Sequence, residues 1–176
     1  MKYLTLKFLI VSLLFLLTNF SFGNEKLPLP NIIMNKNPIL LNKIVFQDIN
    51  EKDINLEDYK GNIIILNFWA TWCLPCKEEM LSLDKLQINK NFKNIIIFPI
   101  NVGQENKIKA KTFFLEFNIK NLDIFYEKNI KLTNEFNLRG LPTTIFINKE
   151  YKAVAQAIGS IDFENKEFLE WLKKIN

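Results

Sequence analysis

The sequence contains no histidine, one arginine and only two cysteines among its 176 residues. The absence of histidine excludes His-based catalytic triads and metal sites, and it removes the side chain that usually titrates near neutral pH. Two cysteines are too few for a disulfide-rich scaffold. Since 48% of the residues are apolar and 24% are charged, we expect an ordinary globular protein with a hydrophobic core.

The charge pattern argues against a nucleic-acid-binding protein. The net charge is +4, from 23 basic and 19 acidic residues, and the two signs are interspersed along the chain. A nucleic-acid interface requires basic residues that cluster on one surface, and no long basic run is present. We therefore expect no nucleic-acid partner.

Residues 1–23 have the layout of a secretory signal peptide. Residues 1–7 are a positively charged head, and residues 8–17 are an apolar run broken only by a serine. The small residues Ser21 and Gly23 follow with the spacing of a cleavage site. The segment is therefore predicted to direct the chain out of the cytosol.

An uncleaved membrane anchor is the alternative for the same segment. The stretch 8–22 is shorter than the ~20 residues of a spanning helix, but a span that starts at Tyr3 reaches that length with Lys7 inside it. Lys2 and Lys7 on the near side agree with the positive-inside rule. Either alternative places the domain in the periplasm or at the outer face of the cytoplasmic membrane.

The rest of the chain is predicted to be a linker followed by one domain. Residues 24–42 form the linker, which Pro28 and Pro30 keep extended, and residues 32–34 are a candidate edge strand. The domain occupies residues 43–176.

Alternating apolar runs and amphipathic stretches in this domain predict an α/β sandwich. Pro99 lies inside one predicted strand, which implies a bulge or a strand end there, and Asp162 is the expected cap of the last helix. Strands are predicted at residues 44–46, 53–56, 63–69, 95–100, 123–126, 143–147 and 153–158, and helices after the cysteines to about 92, and at 105–117, 129–136 and 164–174.

Both cysteines lie in one motif, Cys73-Leu74-Pro75-Cys76, which directly follows the apolar run 63–69. An isolated C-x-x-C motif is sometimes half of a zinc site, but zinc needs about four ligands and the chain has no second Cys or His pair. The remaining alternatives are a redox-active dithiol and an inert pair of small apolar side chains. We favour the redox pair and expect no metal and no cofactor beyond the disulfide.

The position of the motif at a helix start predicts different roles for the two thiols. The free N–H groups at a helix N-terminus stabilise a thiolate, so Cys73 is expected to be the exposed attacking thiol. Cys76, one turn into the helix, is expected to be shielded and to resolve the mixed disulfide. Leu74 and Pro75 add no cation that would depress the pKa of Cys73, which favours a reducing couple over a strong oxidant.

Two further positions are candidates for the site. Glu79 follows Cys76 by three residues on the same helix face, where a carboxylate with a raised pKa accepts a proton from the resolving thiol. The alternative is a solvated glutamate like Glu78. Pro142, in the segment 140–143, is either an ordinary trans proline at a strand entry or a cis proline that orients Leu141 to pair with a substrate peptide.

Residues 67–80, Asn-Phe-Trp-Ala-Thr-Trp-Cys-Leu-Pro-Cys-Lys-Glu-Glu-Met, resemble the active site of the thioredoxin superfamily, closest to its exported TlpA/ResA/CcmG branch of thiol:disulfide oxidoreductases. The resemblance covers residues 43–175. It implies a thioredoxin-like three-layer α/β sandwich with an N-terminal β-hairpin and a central αβ insert at 105–126. Asn67 stands where cytosolic thioredoxins have a buried aspartate, and this branch commonly has asparagine.

The resemblance also implies the roles of site residues. Cys73 is the nucleophile, Cys76 is the resolving thiol, and Glu79 matches the acidic residue that the branch keeps near its cysteines. The segment 140–144 matches the cis-proline loop, so Pro142 is expected to be cis. Two positions depart from the branch: Leu81 replaces a usual proline, and Leu141 replaces Val, Ile, Thr or Glu. The residues expected to contact substrate are Trp72, Leu74, Pro75 and Leu141.

By resemblance, the chain is an exported reductant of disulfides in partner proteins, re-reduced by an upstream membrane thiol reductant. The best-known task of the branch is to keep the haem-binding cysteines of apocytochromes c reduced during cytochrome c maturation. A general periplasmic disulfide reductant and a reductant for copper-site assembly are alternatives. A thiol peroxidase, from another class, needs a lone cysteine near Thr and Arg, and the sole arginine, Arg139, lies far along the chain.

Overall fold

This computed structural model describes residues 29–175 of the chain. These residues form a fold that is built on one mixed eight-stranded sheet. The predicted signal or anchor, residues 1–23, lies outside the described residues. Between residues 29 and 175, no helix has both the length and the hydropathy needed to cross a bilayer. The strands are β1 (Ile32–Leu40), β2 (Val45–Asp48), β3 (Asp53–Asn55), β4 (Ile63–Trp69), β5 (Ile95–Asn101), β6 (Phe125–Tyr126), β7 (Thr143–Ile147) and β8 (Lys152–Ile158).

Helices cover both faces of the sheet, which confirms the α/β prediction. Apolar residues of α1, α2 and α4 pack on one face, and those of α3 and a short 3₁₀ segment pack on the other. The helices are α1 (Leu74–Gln87), α2 (Lys107–Glu116), α3 (Lys131–Glu135) and α4 (Lys166–Lys174), and the 3₁₀ segment is Leu56–Tyr59.

The central strand is β4, and its continuous apolar sequence is typical of a strand that is buried on both faces. The strand order is β1-β8-β7-β4-β5-β6-β2-β3, in which β4 pairs parallel with β5 and antiparallel with β7. All seven residues of β4 are buried. The end of β4 is therefore a rigid support for the residues that follow it.

The sheet begins earlier than the predicted domain boundary near residue 43. The candidate edge strand at 32–34 extends to Leu40 and pairs antiparallel with β8, so part of the predicted linker 24–42 belongs to the sheet. The pairing register shifts between Met34 and Ile39. A strand at the sheet edge tolerates this irregularity and the intervening Pro38, because its outer side has no ladder to interrupt.

Pro99 causes neither a bulge nor a strand end, contrary to the sequence prediction. It lies opposite Asn67 in an unbroken parallel register between β4 and β5. The other neighbour, β6, pairs only with Ile100 and Asn101. On that side the strand has no ladder bond at Pro99 for a proline to interrupt.

The cap of α4 is Asn165 and not Asp162. The Asn165 side chain accepts a hydrogen bond from the backbone N–H of Phe168 at 3.2 Å. Residues 162–165 form a turn in which the Asp162 side chain accepts from the N–H of Glu164 instead. The helix therefore starts later than the hydrophobic pattern indicated.

A buried carboxylate, Asp84, joins α1 to the loop that follows α2. It is 3% exposed, and its Oδ1 accepts the backbone N–H groups of Lys120, Asn121 and Leu122 at 2.7–3.1 Å. Its Oδ2 accepts the side-chain amide of Asn121 at 2.7 Å. This one side chain fixes the insert against the helix that carries the cysteines.

Replacement of Asp84 by Ala is expected to lower the free energy of unfolding by roughly 1–3 kcal/mol, because the buried N–H of Leu122 loses its acceptor, and the part-buried N–H groups of Lys120 and Asn121 lose theirs as well. Urea denaturation measures the change. Asp123→Ala is the matched control, since Asp123 is an exposed carboxylate in the same loop. Equal losses in the two variants would contradict the role of Asp84.

Candidate active site

The two cysteines form a disulfide at the junction between β4 and α1. The sulfur atoms are 2.09 Å apart and the Cα atoms 5.3 Å apart. Cys73 is the N-cap of α1, and its sulfur accepts the backbone N–H of Cys76 at 3.2 Å. The prediction that the motif opens a helix is confirmed, with Pro75 in the first turn.

The exposure predicted for Cys73 is wrong in this disulfide form. Cys73 is only 4% exposed and Cys76 is fully buried. The backbone holds Cys73 inward, because its N–H donates to Ala70 O at 3.2 Å while its sulfur lies against the first turn of α1. Cys73 is nevertheless the more accessible of the two cysteines, and its role as the attacking thiol stays a prediction.

Apolar side chains project from the surface around the disulfide. Trp72 is 67% exposed, Leu74 is 65% exposed and Pro75 is also exposed. Solvent-exposed apolar groups that cluster in one patch commonly mark an interaction surface. Leu81, which stands where the branch usually has a proline, is half exposed within the continuous helix α1.

Glu79 is buried beneath this surface and is not the solvated glutamate of the alternative interpretation. It is 1% exposed, and it accepts hydrogen bonds from the Asn67 side-chain amide at 2.7 Å and from the backbone N–H of Ile161 at 2.9 Å. Burial raises the pKa of Glu79 to about 8, against the opposing effect of these two hydrogen bonds. The carboxyl group is therefore mostly protonated at neutral pH.

Asn67 and Thr144 complete the polar cluster within the core. Asn67 is fully buried in β4, and its amide nitrogen also donates to Thr144 Oγ1 at 3.0 Å. Asn67 lies opposite Thr144 across the β4–β7 ladder. The sequence signal for this cluster was a polar residue inside an apolar strand, but nothing in the sequence identified Thr144 as its partner.

The segment before β7 lies at the same end of the sheet as the disulfide turn. Phe68 pairs with Thr143, so the residues that precede Thr143 lie beside the end of β4. The Leu141–Pro142 peptide bond is cis, Pro142 is buried and Leu141 is half-buried. The hydroxyl of Thr143 donates to Gly140 O at 2.7 Å and closes this loop.

A second carboxylate, Glu105, contacts the residues just before the disulfide and was not identified from the sequence. Both of its oxygens accept hydrogen bonds from Thr71, and Asn101 donates to it at 3.2 Å. Its sequence position at the start of a predicted helix gave no indication of this contact. Among residues 29–175, no three His, Cys, Asp or Glu side chains lie close enough together to hold a metal ion.

Comparison with known proteins agrees with this geometry. Residues 39–156 match the model of the AhpC/TSA family. A thiol-disulfide oxidoreductase named ResA from Bacillus thuringiensis is 36% identical over 132 residues, which cover 74% of this chain and 73% of the relative. The ResA protein of Bacillus subtilis is 33% identical over 117 residues, which cover 66% of this chain and 64% of that protein.

Solved structures show the same thioredoxin-like fold, which confirms the predicted fold class. The exposed lipoprotein thioredoxin Etrx1 of Streptococcus pneumoniae superposes with a TM-score of 0.64 at 26% identity, covering 76% of this chain and 99% of that one. StoA of Bacillus subtilis superposes with a TM-score of 0.63 at 22% identity, covering 77% and 99%.

The buried carboxyl of Glu79 is expected to make the oxidised protein less stable as pH rises from about 4.5 to about 8. Below pH 4.5 the carboxyl is protonated in both the folded and the unfolded protein, so its contribution to the free energy of unfolding is fully present. Above that value the unfolded chain releases the proton but the folded protein retains it until the pH reaches its raised pKa. The free energy of unfolding should therefore fall by up to about 1.4 kcal/mol per pH unit from this group.

Urea denaturation at several pH values measures this effect in the wild type and in Glu79→Gln, which keeps the shape but cannot ionise. Glu78→Gln is the control, since Glu78 is an exposed neighbour on the same helix. The decrease of the free energy of unfolding with pH should become shallower only in Glu79→Gln. If the wild type and Glu79→Gln show the same slope, the carboxyl does not titrate as described.

Proposed function

The chain belongs to the AhpC/TSA family and is a thiol:disulfide oxidoreductase of the thioredoxin superfamily, and from this we propose that it is an exported reductant of disulfides in partner proteins. The observation that carries the direction is the buried carboxyl of Glu79, one helical turn from Cys76. When it is ionised, a carboxylate at this position disfavours a nearby thiolate. A strong oxidant requires the opposite, a heavily stabilised thiolate.

The surroundings of the cysteines also favour a reductant over an oxidant. Leu74 and Pro75 carry no charge, and Lys77 is the only cation between residues 71 and 79. The Lys77 amine lies over the ring of Phe117, 5.8 Å from its centroid. Its charge is thus engaged in a cation–π contact with Phe117, the residue that directly follows α2.

The proposed reaction uses the two thiols in sequence. The Cys73 thiolate attacks one sulfur of the substrate disulfide, forms a mixed disulfide and releases the other substrate sulfur as a thiolate, which takes a proton from water. In the fraction of molecules whose Glu79 is ionised, the Cys76 thiol then gives its proton to the Glu79 carboxylate, attacks the Cys73 sulfur and releases the second substrate thiolate. The reaction ends with a protonated Glu79 beside a disulfide, the state that burial favours.

The upstream reductant reverses these steps. Its thiolate attacks Cys73, Cys76 leaves as a thiolate, and Glu79 returns the proton to it. A second thiol of the reductant then attacks the reductant's own sulfur in the mixed disulfide and releases the Cys73 thiolate. Trp72, Leu74 and Pro75 are proposed to bind apolar parts of the substrate around its disulfide. Leu141 is proposed to pair with the substrate backbone as an added strand, with Pro142 beside the disulfide.

We propose disulfides of apocytochromes c as the substrates, on the strength of the motif and of relatives named ResA. Other exported proteins and copper-site assembly are the alternatives. A thiol peroxidase fits the site less well, since both cysteines of the chain are joined in one disulfide and the single arginine, Arg139, is exposed. Residues 1–23 are proposed to deliver the domain to the periplasm, or to anchor it at the outer face of the membrane.

Serine variants test the two thiol roles. Cys73→Ser should abolish exchange, because the attacking thiolate is lost. Cys76→Ser should accumulate mixed disulfides, because the step that resolves them is lost. Non-reducing electrophoresis of each variant with a disulfide-bonded peptide measures the trapped fraction. Equal trapping by the two variants would refute the assignment.

The direction and the substrate are tested by two measurements on the full-length protein. The reduction potential of the Cys73–Cys76 couple is expected near that of a reducing thioredoxin, about −270 mV, and a value near −120 mV would reverse the proposed direction.

For the substrate, the rate of reduction is compared for an oxidised Cys-x-x-Cys-His peptide and for the same peptide with its residues scrambled around the disulfide. Equal rates would favour a general reductant.

A further inference from the structure

The loop after β5 crosses closely over the turn that carries the disulfide. Val102 N donates to Trp69 O at 2.9 Å, which extends the contact between β4 and β5 beyond the two strands. A Cβ atom at Gly103 would lie 2.9 Å from the Ala70 Cβ and 2.5 Å from Glu105 Oε1. Only glycine therefore allows the two segments to approach this closely.

Glu105 uses this approach to bind Thr71 with both carboxylate oxygens. Its Oε1 accepts the Thr71 backbone N–H at 2.7 Å, and its Oε2 accepts the Thr71 hydroxyl. Asn101 is 2% exposed and supports the carboxylate from the strand side. Its amide nitrogen donates to Oε1, and its oxygen accepts the Gly103 N–H at 3.1 Å.

Thr71 is a central residue of the turn that precedes the helix. The bond from Cys73 N to Ala70 O closes this turn, with Thr71 and Trp72 at its two middle positions. The N–H of Thr71 takes no part in that bond, and Glu105 supplies its acceptor. The orientation of the turn determines where the Cys73 sulfur and the exposed Trp72 ring are presented.

We propose that Glu105 is a positioning residue for disulfide exchange, which holds both donors of Thr71 and thereby fixes the turn from Ala70 to Cys73. The proposal rests on the disulfide-exchange activity and not on the identity of the partner protein. Attack on a disulfide requires an aligned approach of the sulfur atoms, so a small displacement of Cys73 slows the reaction without removing the thiol. The central insert thus contributes directly to the active site.

A purely electrostatic role is the competing explanation, because Glu105 is a negative charge near the cysteines. Burial alone would raise the pKa of Glu105, but the hydrogen bonds from Thr71 and Asn101 and the charge of Lys109 together hold it below its usual value. Tyr126 and Glu127 line, together with Glu105, a cavity of about 520 Å³. Glu127 binds Thr133 through both oxygens and serves as a charge-matched control.

The test compares Glu105→Gln, Thr71→Val, Thr71→Ser and Glu127→Gln in the full-length protein. The readout is the pH profile of the exchange rate with a disulfide-bonded peptide, including the plateau at which the Cys73 thiol is fully ionised. Glu105→Gln and Thr71→Val should lower the plateau rate about 10-fold or more, the scale of a lost hydrogen bond to a charged group. The plateau rates of Thr71→Ser and Glu127→Gln should stay within about twofold of the wild-type rate, since both variants keep the contact between Glu105 and residue 71.

The double variant Glu105→Gln/Thr71→Val separates positioning from independent effects. Its plateau rate should match that of the slower single variant, because both changes break the same contact. A role limited to charge would instead shift the pKa of the Cys73 thiol and leave the plateau unchanged in Glu105→Gln, which would overturn the proposal. Thermal unfolding of each variant shows whether it is folded. If Glu105→Gln does not fold, the test uses Thr71→Val alone. Wild-type protein without exchange activity would refute the activity itself.

Discussion

The burial of one carboxyl group, Glu79, is the constraint on which the arrangement of this domain depends. Glu79 lies on α1 and binds Asn67 of β4 and the backbone of Ile161 after β8, while Asn67 binds Thr144 of β7. An unpaired polar group in this position would cost several kcal/mol, so the network is favourable only when its members are in register. The helix that carries the cysteines is thus set against two strands and a loop by directional bonds as well as by packing.

Two carboxyl groups flank the disulfide turn, and their environments push their pKa values in opposite directions. Burial raises the pKa of Glu79 to about 8, which lets it exchange a proton near neutral pH. Donors from Thr71 and Asn101 lower the pKa of Glu105, which keeps it an anion. One group is suited to proton transfer and the other to holding the backbone, a division that environment and not residue type produces.

The sheet topology explains why these parts converge at one place. β4, β5 and β6 are parallel, so their carboxyl ends, Trp69, Asn101 and Tyr126, lie along the same edge. In α/β proteins the loops at this edge commonly form the functional site. The disulfide turn follows β4 and the Glu105 loop follows β5, which makes the contact between them a direct result of strand order.

The sequence by itself determined the α/β class, the apolar strand β4 and the helix start at Cys73, because apolar periodicity and the C-x-x-C spacing are local signals. It also identified Glu79 and Pro142 as candidates. It failed at Pro99, at the cap of α4 and at the start of the sheet, where the outcome depended on which strand or turn lay next to the residue. Tertiary structure alone decided that Glu79 is buried with a raised pKa, that Thr144 is the partner of Asn67, and that Glu105 reaches Thr71. These contacts join residues 12, 77 and 34 positions apart, and no local pattern records a hydrogen bond that only the folded chain brings within reach.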